Sequence, residues 1–169
     1  MLPSLKTVLY ATDLGRQAPR VLRYALSLAR SYGGGVHIVH AVEPLGTQAR
    51  HMVELYTGQE DIAHAERSRW PELERSLQRR LRALCEAEGC DADVGRGPIA
   101  GMSVLPGRPD EVILRESARI APDVIVMGSH GHTTVGEILL GSTAHRVSQR
   151  ATVPVLLVRT DEADTSSGL

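Results

Sequence analysis

The chain has 169 residues, with 19 basic against 20 acidic side chains, 42% apolar residues and 23% charged ones. That is the make-up of one ordinary globular domain, and its 16 glycines and 9 prolines stay below the share that marks a low-complexity or disordered chain. A net charge of −1 with both signs interspersed makes no field that seeks nucleic acid or an acidic membrane surface, so neither is an expected partner and any anion site must be local.

Residues 5–11, rich in β-branched and apolar types, predict a first strand. Lys6 inside it and Asp13 after it leave no room for a secretory signal, so a cytoplasmic location is expected. A helix follows. Pro19 suits its first turn, Val21, Leu22, Ala25, Leu26, Leu28 and Ala29 make a wide apolar stripe, and Gly33, Gly34 and Gly35 end it. Residues 36–42 predict a second strand, which completes a βαβ unit. Its His37 and His40 are three apart, face opposite sides of a strand and cannot share a ligand, so packing or surface roles are expected.

Residues 45–69 form an insertion too long for an ordinary connection. Within it Ala49, Met52, Val53 and Tyr56 fall at helical spacing before Gly58. A long helix is predicted from about residue 70 to 88, with Leu73, Leu77, Leu81 and Leu84 packing on the sheet. Cys85 and Cys90 are neither a C-x-x-C pair nor half of a zinc site, and no disulfide is expected. A third strand is predicted at 99–105, although Gly95, Gly97, Pro98 and Gly101 make poor strand residues. Pro109 opens a helix carrying Val112, Ile113, Ala118 and Ile120, which Ala121 and Pro122 stop. Residues 123–127 and 153–158 predict strands four and five. The latter is the longest apolar run and contains Pro154; it is far short of the roughly 20 residues that span a bilayer. Residues 1–160 then make one domain, and the polar tail at 161–169 is expected to fray.

The chemistry gathers after strand four. Gly128-Ser129-His130-Gly131 is followed, after nine residues, by Gly141-Ser142. Glycines at the C-terminal end of a parallel strand let backbone N–H groups approach a ligand, and ligands of open α/β sheets bind at that edge. Ser142 is a strong N-cap residue, so a helix N-terminus that favours phosphate is predicted to start there. Between them, Thr134 to Glu137 is a capping-box pattern for a short helix through Ile138, Leu139 and Leu140.

Residues 124–131 (VIVMGSHG), Gly141-Ser142-Thr143-Ala144 and the closing residues 153–159, together with residues 8–13 (VLYATD), closely resemble the universal stress protein family. The resemblance runs over roughly residues 4 to 160 apart from the insertion and the approach to strand three. It implies a Rossmann-like three-layer α/β sandwich, a five-stranded parallel sheet in the order 3-2-1-4-5, and a homodimer. It also implies ATP as ligand, with Mg arriving through the phosphates. On that likeness Ala11, Thr12, Asp13, Ala41 and Val42 flank adenine and ribose, while Met127, Gly128, Ser129, His130, Gly131, His132, Gly141, Ser142 and Thr143 line the phosphates. The chain departs from the family at His132, where a basic Arg is frequent, and at His145, where an acidic residue is frequent.

Other readings stay beside these. Asp13 serves either as cap of the turn after strand one or as a ribose or metal-linked group. His130 and His132 without a third donor make a poor metal site. Gly141-Ser142-Thr143 is no nucleophile elbow. Strand five lies at the sheet edge in the implied order, so Val153, Val155, Leu156, Leu157 and Val158 are expected to pair with a second copy. The phosphate loop has no lysine, and Lys6 is the sole one in the chain; that suits binding better than fast phosphoryl transfer. A nucleotide-dependent regulatory protein is the leading expectation. A true ATPase and a nucleotide-free dimeric scaffold are the alternatives.

Overall fold

The computed structural model describes residues 3–43, 59–129 and 140–159, with side chains described throughout these except at 59–66. In chain order the elements are β1 (Thr7–Thr12), α1 (Ala18–Ser31), β2 (Gly35–Val42), α2 (Gln59–Ala87), β3 (Ile99–Pro106), α3 (Pro109–Ile120), β4 (Val124–Gly128), α4 (Ser142–Arg150) and β5 (Val155–Val158). The five strands form one all-parallel sheet in the order β3-β2-β1-β4-β5. This is the expected α/β architecture and order.

The central strands are apolar on both faces because helices cover both. Val8, Tyr10, Val36, Ile38 and Val126 meet Leu22, Ala25, Leu77 and Leu81 of α1 and α2 on one side. Leu9, Val39, Ile125 and Met127 meet Val112, Ile113, Ala144 and Val147 of α3 and α4 on the other. At the base of the sheet Asp123 clamps the two middle strands: its Oδ2 accepts the Thr7 N–H at 2.8 Å and its own N–H reaches the Thr7 carbonyl at 2.8 Å. That role takes Asp123 out of the predicted fourth strand, which begins at Val124.

The glycine run ends α1 as predicted. Gly33 has φ +62°, and the Gly33 and Gly34 N–H groups return to the carbonyls of Arg30 (3.3 Å) and Ala29 (2.8 Å), a Schellman motif. β3 runs to Pro106 with a register shift opposite Val36 and His37, the irregularity its glycines suggested. Gly101 is needed there because a Cβ would stand 2.6 Å from His37 Nδ1.

Four expectations need correction. α2 begins at Gln59, not near residue 70, and runs through Pro71; its first turns belong to the insertion, and the polar residues there show no apolar stripe to announce them. Leu73 is 43% exposed, so the packed stripe is Leu77, Leu81 and Cys85, with Trp70 and Leu84 at its margin. In α3, Ala118 is exposed while Glu116 and Ser117 are buried; the Glu116 carboxylate is held there by Arg119 Nη2 at 2.8 Å. β5 starts at Val155, since Pro154 has no N–H to give, although its carbonyl still accepts the Ile125 N–H at 2.9 Å. The helix suggested by Ala49, Met52, Val53 and Tyr56 lies outside the described residues.

A buried carboxylate of α3 faces α4. Asp110, 2% exposed in the first turn of α3, stands 3.3 Å from Arg108 and 3.7 Å from both Arg146 and Arg150 of α4. The arginines are half-exposed and two contacts are long, so their combined worth is modest. Asp110→Asn is expected to cost about 1 kcal/mol, more at low salt than at high salt, as read from urea unfolding at two ionic strengths.

Two buried acids make stability fall in alkali. The Tyr10 hydroxyl, which donates to the Ala18 carbonyl at 2.9 Å, is pushed above its ordinary value by burial, and burial pushes the Cys85 thiol up to about 12. Both stay protonated in the fold while the unfolded chain loses those protons first, so the stability is whole below about pH 9 and declines as the pH climbs toward about 12. Urea unfolding at about pH 8 and about pH 10.5 should show the decline, and Tyr10→Phe should lessen it.

Candidate functional site

In a doubly wound parallel sheet the ligand crevice opens at the C-terminal strand ends where the order reverses. Here β1 is followed by β2 and β3 on one side, and by β4 and β5 on the other, so the crevice lies between β1 and β4. The ladder sets Ala11 beside Met127 and Thr12 beside His40. Neighbouring strands run about 4.8 Å apart. Ala11, Thr12, Met127 and Gly128 therefore share one crest, and Ala41 and Val42 extend β2 just past the end of β1. Ala11 and Met127 are buried, whereas Thr12, Ala41, Val42 and Gly128 are half-buried.

The turn after β1 is built by local hydrogen bonds. Leu14, at φ +57°, gives its N–H to Thr12 Oγ1 at 3.0 Å, and Gly15 gives its N–H to Asp13 Oδ1 at 2.8 Å. A Cβ on Gly15 would sit 2.9 Å from that same carboxylate oxygen. Asp13 is thus a turn-shaping residue, and one of its oxygens is committed to the backbone. His40 Nδ1 lies 2.8 Å from the Thr12 carbonyl. Because a carbonyl only accepts, Nδ1 carries the proton in this bond. Composition and spacing pointed His40 only toward packing or the surface. Its place beside Thr12 depends on the β1–β2 register, which no single strand announces.

Across the crevice the Gly128 and Gly141 segments form one hydrogen-bonded unit. The Ser129 N–H donates to Val158 at 2.8 Å, and the Ser129 carbonyl accepts the Gly141 N–H at 2.8 Å. Gly141 occupies the N-cap of α4, and Ser142 is the first helical residue, with no side-chain cap bond. This corrects the expected Ser142 cap: the Gly141 carbonyl opens the helix by accepting the His145 N–H at 2.8 Å. The Gly141 amide is consequently spent within the protein. The N–H groups of Ser142, Thr143 and Ala144, in the first turn of α4, have no acceptor inside the helix. Gly141 sits at φ −56°, ψ 146°, open to any residue, so only the lack of a Cβ distinguishes it. His130, Gly131, His132 and the helix predicted from Thr134 lie outside the described residues.

Lys6 precedes β1 at the opposite edge of the sheet, where its carbonyl accepts the Gly35 N–H at 2.8 Å. The crest therefore has no lysine, and it offers backbone donors. Among the described residues no group of three His, Cys, Asp or Glu side chains is placed to hold a metal. No helix among them is long and apolar enough to cross a membrane.

A parallel sheet with its switch-point crevice lined by a strand-end glycine and a helix N-terminus defines the Rossmann-like class. Within it, the sequence profile of the universal stress protein family matches residues 4–159. The chain belongs to that family and so to the stress-response proteins. It is 33% identical over 154 residues to the universal stress protein in the QAH/OAS sulfhydrylase 3' region of Thermus aquaticus, an alignment that covers 91% of this chain and 98% of the relative. It is 26% identical to universal stress protein MJ0577 of Methanocaldococcus jannaschii over 91% of this chain and 94% of that one. The solved structure of hypothetical protein MJ0577 superposes with a TM-score of 0.70 at 24% identity, covering 94% and 99% of the two chains. A universal stress protein in complex with cAMP superposes with a TM-score of 0.59 at 20% identity, over 94% and 99%.

Proposed function

We propose that this chain is an ATP-binding regulatory protein, in which bound Mg-ATP biases conformation or partner choice and is hydrolysed slowly if at all. The observation that carries the reading is the Gly141 to Ser129 hydrogen bond of 2.8 Å. It holds the N-terminus of α4 beside the end of β4, on the lip facing the Thr12 to Gly15 turn. On this reading Ala11, Thr12, Asp13, Ala41 and Val42 bound the adenosine half. Met127, Gly128 and Ser129 with Gly141, Ser142 and Thr143 bound the phosphates, joined by His130, Gly131 and His132. The amides of Ser142, Thr143 and Ala144 donate to phosphate oxygens, and Mg, held by the phosphates, offsets the repulsion between them and Asp13. The absence of a lysine from the crest leaves no side chain of the P-loop kind to stabilise charge on a transferring phosphoryl group.

One structural neighbour is a universal stress protein in complex with cAMP, which makes cAMP the adenine ligand to test beside ATP. Thermal unfolding with ATP, cAMP, AMP and GTP, each with Mg, tests the proposal. A ligand at a hundred times its Kd should stabilise the fold by about 2.7 kcal/mol. Stabilisation by ATP and not by GTP supports the reading, whereas equal melting in all four removes it. Multiple-turnover phosphate release from the same samples would favour a true ATPase instead.

We further propose a homodimer through the edge of β5, where Val153, Val155, Leu156, Leu157 and Val158 border the second copy. β5 ends the sheet and pairs only with β4 among the described residues, which leaves one row of backbone groups for another strand. Sedimentation of the wild type and of Leu156→Lys checks this; a monomer at micromolar concentration in the wild type would overturn it.

A further inference from the structure

We propose that Cys85 and Cys90 form a reversible intramolecular disulfide when the protein meets a two-electron oxidant such as hydrogen peroxide or a small disulfide. α2 ends in a Schellman motif like that of α1: the Cys90 N–H returns to the Cys85 carbonyl at 3.0 Å, and the Gly89 N–H to the Glu86 carbonyl at 3.0 Å. Gly89, at φ +66°, makes the turn. This motif folds the sixth residue back against the first, a contact usually made by two apolar side chains. Here both are thiols. Cys90 Sγ lies 3.1 Å from the Cys85 carbonyl, and the two thiols are near enough to shift each other's titration. They are the chain's only cysteines, and both are free and buried. Both sulfurs belong to one helix end and its Schellman cap, so a bridge would join no separate elements.

Cys90 is the more open of the two, 5% exposed against 0% for Cys85; burial pushes its thiol above the ordinary value, and Arg30 nearby offsets part of that rise, so the small thiolate fraction reacts first there. The Cys90 thiolate attacks one peroxide oxygen, the O–O bond breaks, hydroxide leaves, and a sulfenic acid forms. The Cys85 sulfur then attacks Cys90 Sγ and displaces that hydroxyl, which leaves as water with the Cys85 proton. In total two thiols lose two electrons and two protons, and one peroxide becomes two waters. A dithiol reductant reverses the step by exchange. The bridge would pin the last turn of α2 to the segment leading toward β3. The Arg23 to Glu88 pair, at 2.7 Å, already ties the same helix end to α1.

The test treats the reduced full-length protein with hydrogen peroxide, and separately with oxidised glutathione, under native conditions. Denaturing alkylation and intact mass measurement follow. The expected product is a monomer lighter by about 2 Da that takes up no alkylating agent, regains both sites after dithiothreitol, and yields a peptide joining Cys85 to Cys90. A protein that remains alkylatable at both sulfurs overturns the proposal, as does one that gains only oxygen or glutathione on a single sulfur. Cys90→Ser should abolish the bridge. Adding urea below the unfolding transition separates the routes: an unchanged oxidation rate supports formation within the fold, and a rate that tracks the unfolded fraction overturns it.

Discussion

Gly34→Ala is expected to destabilise the domain by about 3 kcal/mol or more, a large part of the roughly 5–15 kcal/mol that holds a domain of this size together. A Cβ at position 34 would stand 1.9 Å from the Lys6 carbonyl oxygen and 2.5 Å from both the Lys6 carbonyl carbon and Cα. None of these atoms is the end of a flexible side chain. The backbone entering β1 would have to move, and with it the Gly35 to Lys6 hydrogen bond that begins the β1–β2 ladder. Gly33→Ala, one residue earlier, is the informative contrast. Gly33 is the residue with positive φ, at +62°, yet a Cβ there meets nothing within 4 Å. That change costs only the left-handed penalty of about 1 kcal/mol. Urea unfolding of the two variants should rank Gly34→Ala far below Gly33→Ala. Equal losses, or the reverse order, would show that the helix-to-strand turn relaxes where it is taken to be rigid.

Gly128→Ala is expected to weaken ATP binding at least tenfold, about 1.4 kcal/mol, while the protein stays folded. Alternation along β4 sets position 128 on the same face as Val126, which packs with Tyr10 and α1. A methyl group there would enter the crevice on the side of the Thr12 to Gly15 turn. Gly128 lies at the end of β4 and is half-buried, so the core below it keeps its packing. Calorimetry of the variant, with circular dichroism to establish folding, checks this. Unchanged affinity in a folded Gly128→Ala protein would remove this strand end from the phosphate site.

Much of the architecture was legible because its signals are local. The stripe from Val21 to Ala29, the Gly33 to Gly35 stop, and the apolar runs at the middle strands each follow from a few adjacent residues. The strand order came from the family resemblance, since nothing in the periodicity says which strand lies beside which. What escaped depends on long-range placement. The first turns of α2 carry no apolar stripe, and Pro71 in their wake reads more naturally as a helix start than as a helix interior. Leu73 sits at the right spacing but beyond the reach of the sheet. Ser142 has the chemistry of an N-cap, yet the Gly141 amide is drawn to Ser129 and the helix opens one residue earlier. His40 joins the site only through its pairing opposite Thr12.

The most direct measurement is calorimetric titration of nucleotide-stripped protein with Mg-ATP, with AMP, cAMP and GTP alongside and the products examined after long incubation. The account predicts saturable ATP binding of about micromolar affinity, weaker or absent GTP binding, and little ADP formed. No binding of any adenine nucleotide would contradict it, reducing the glycines of the crest to turn residues.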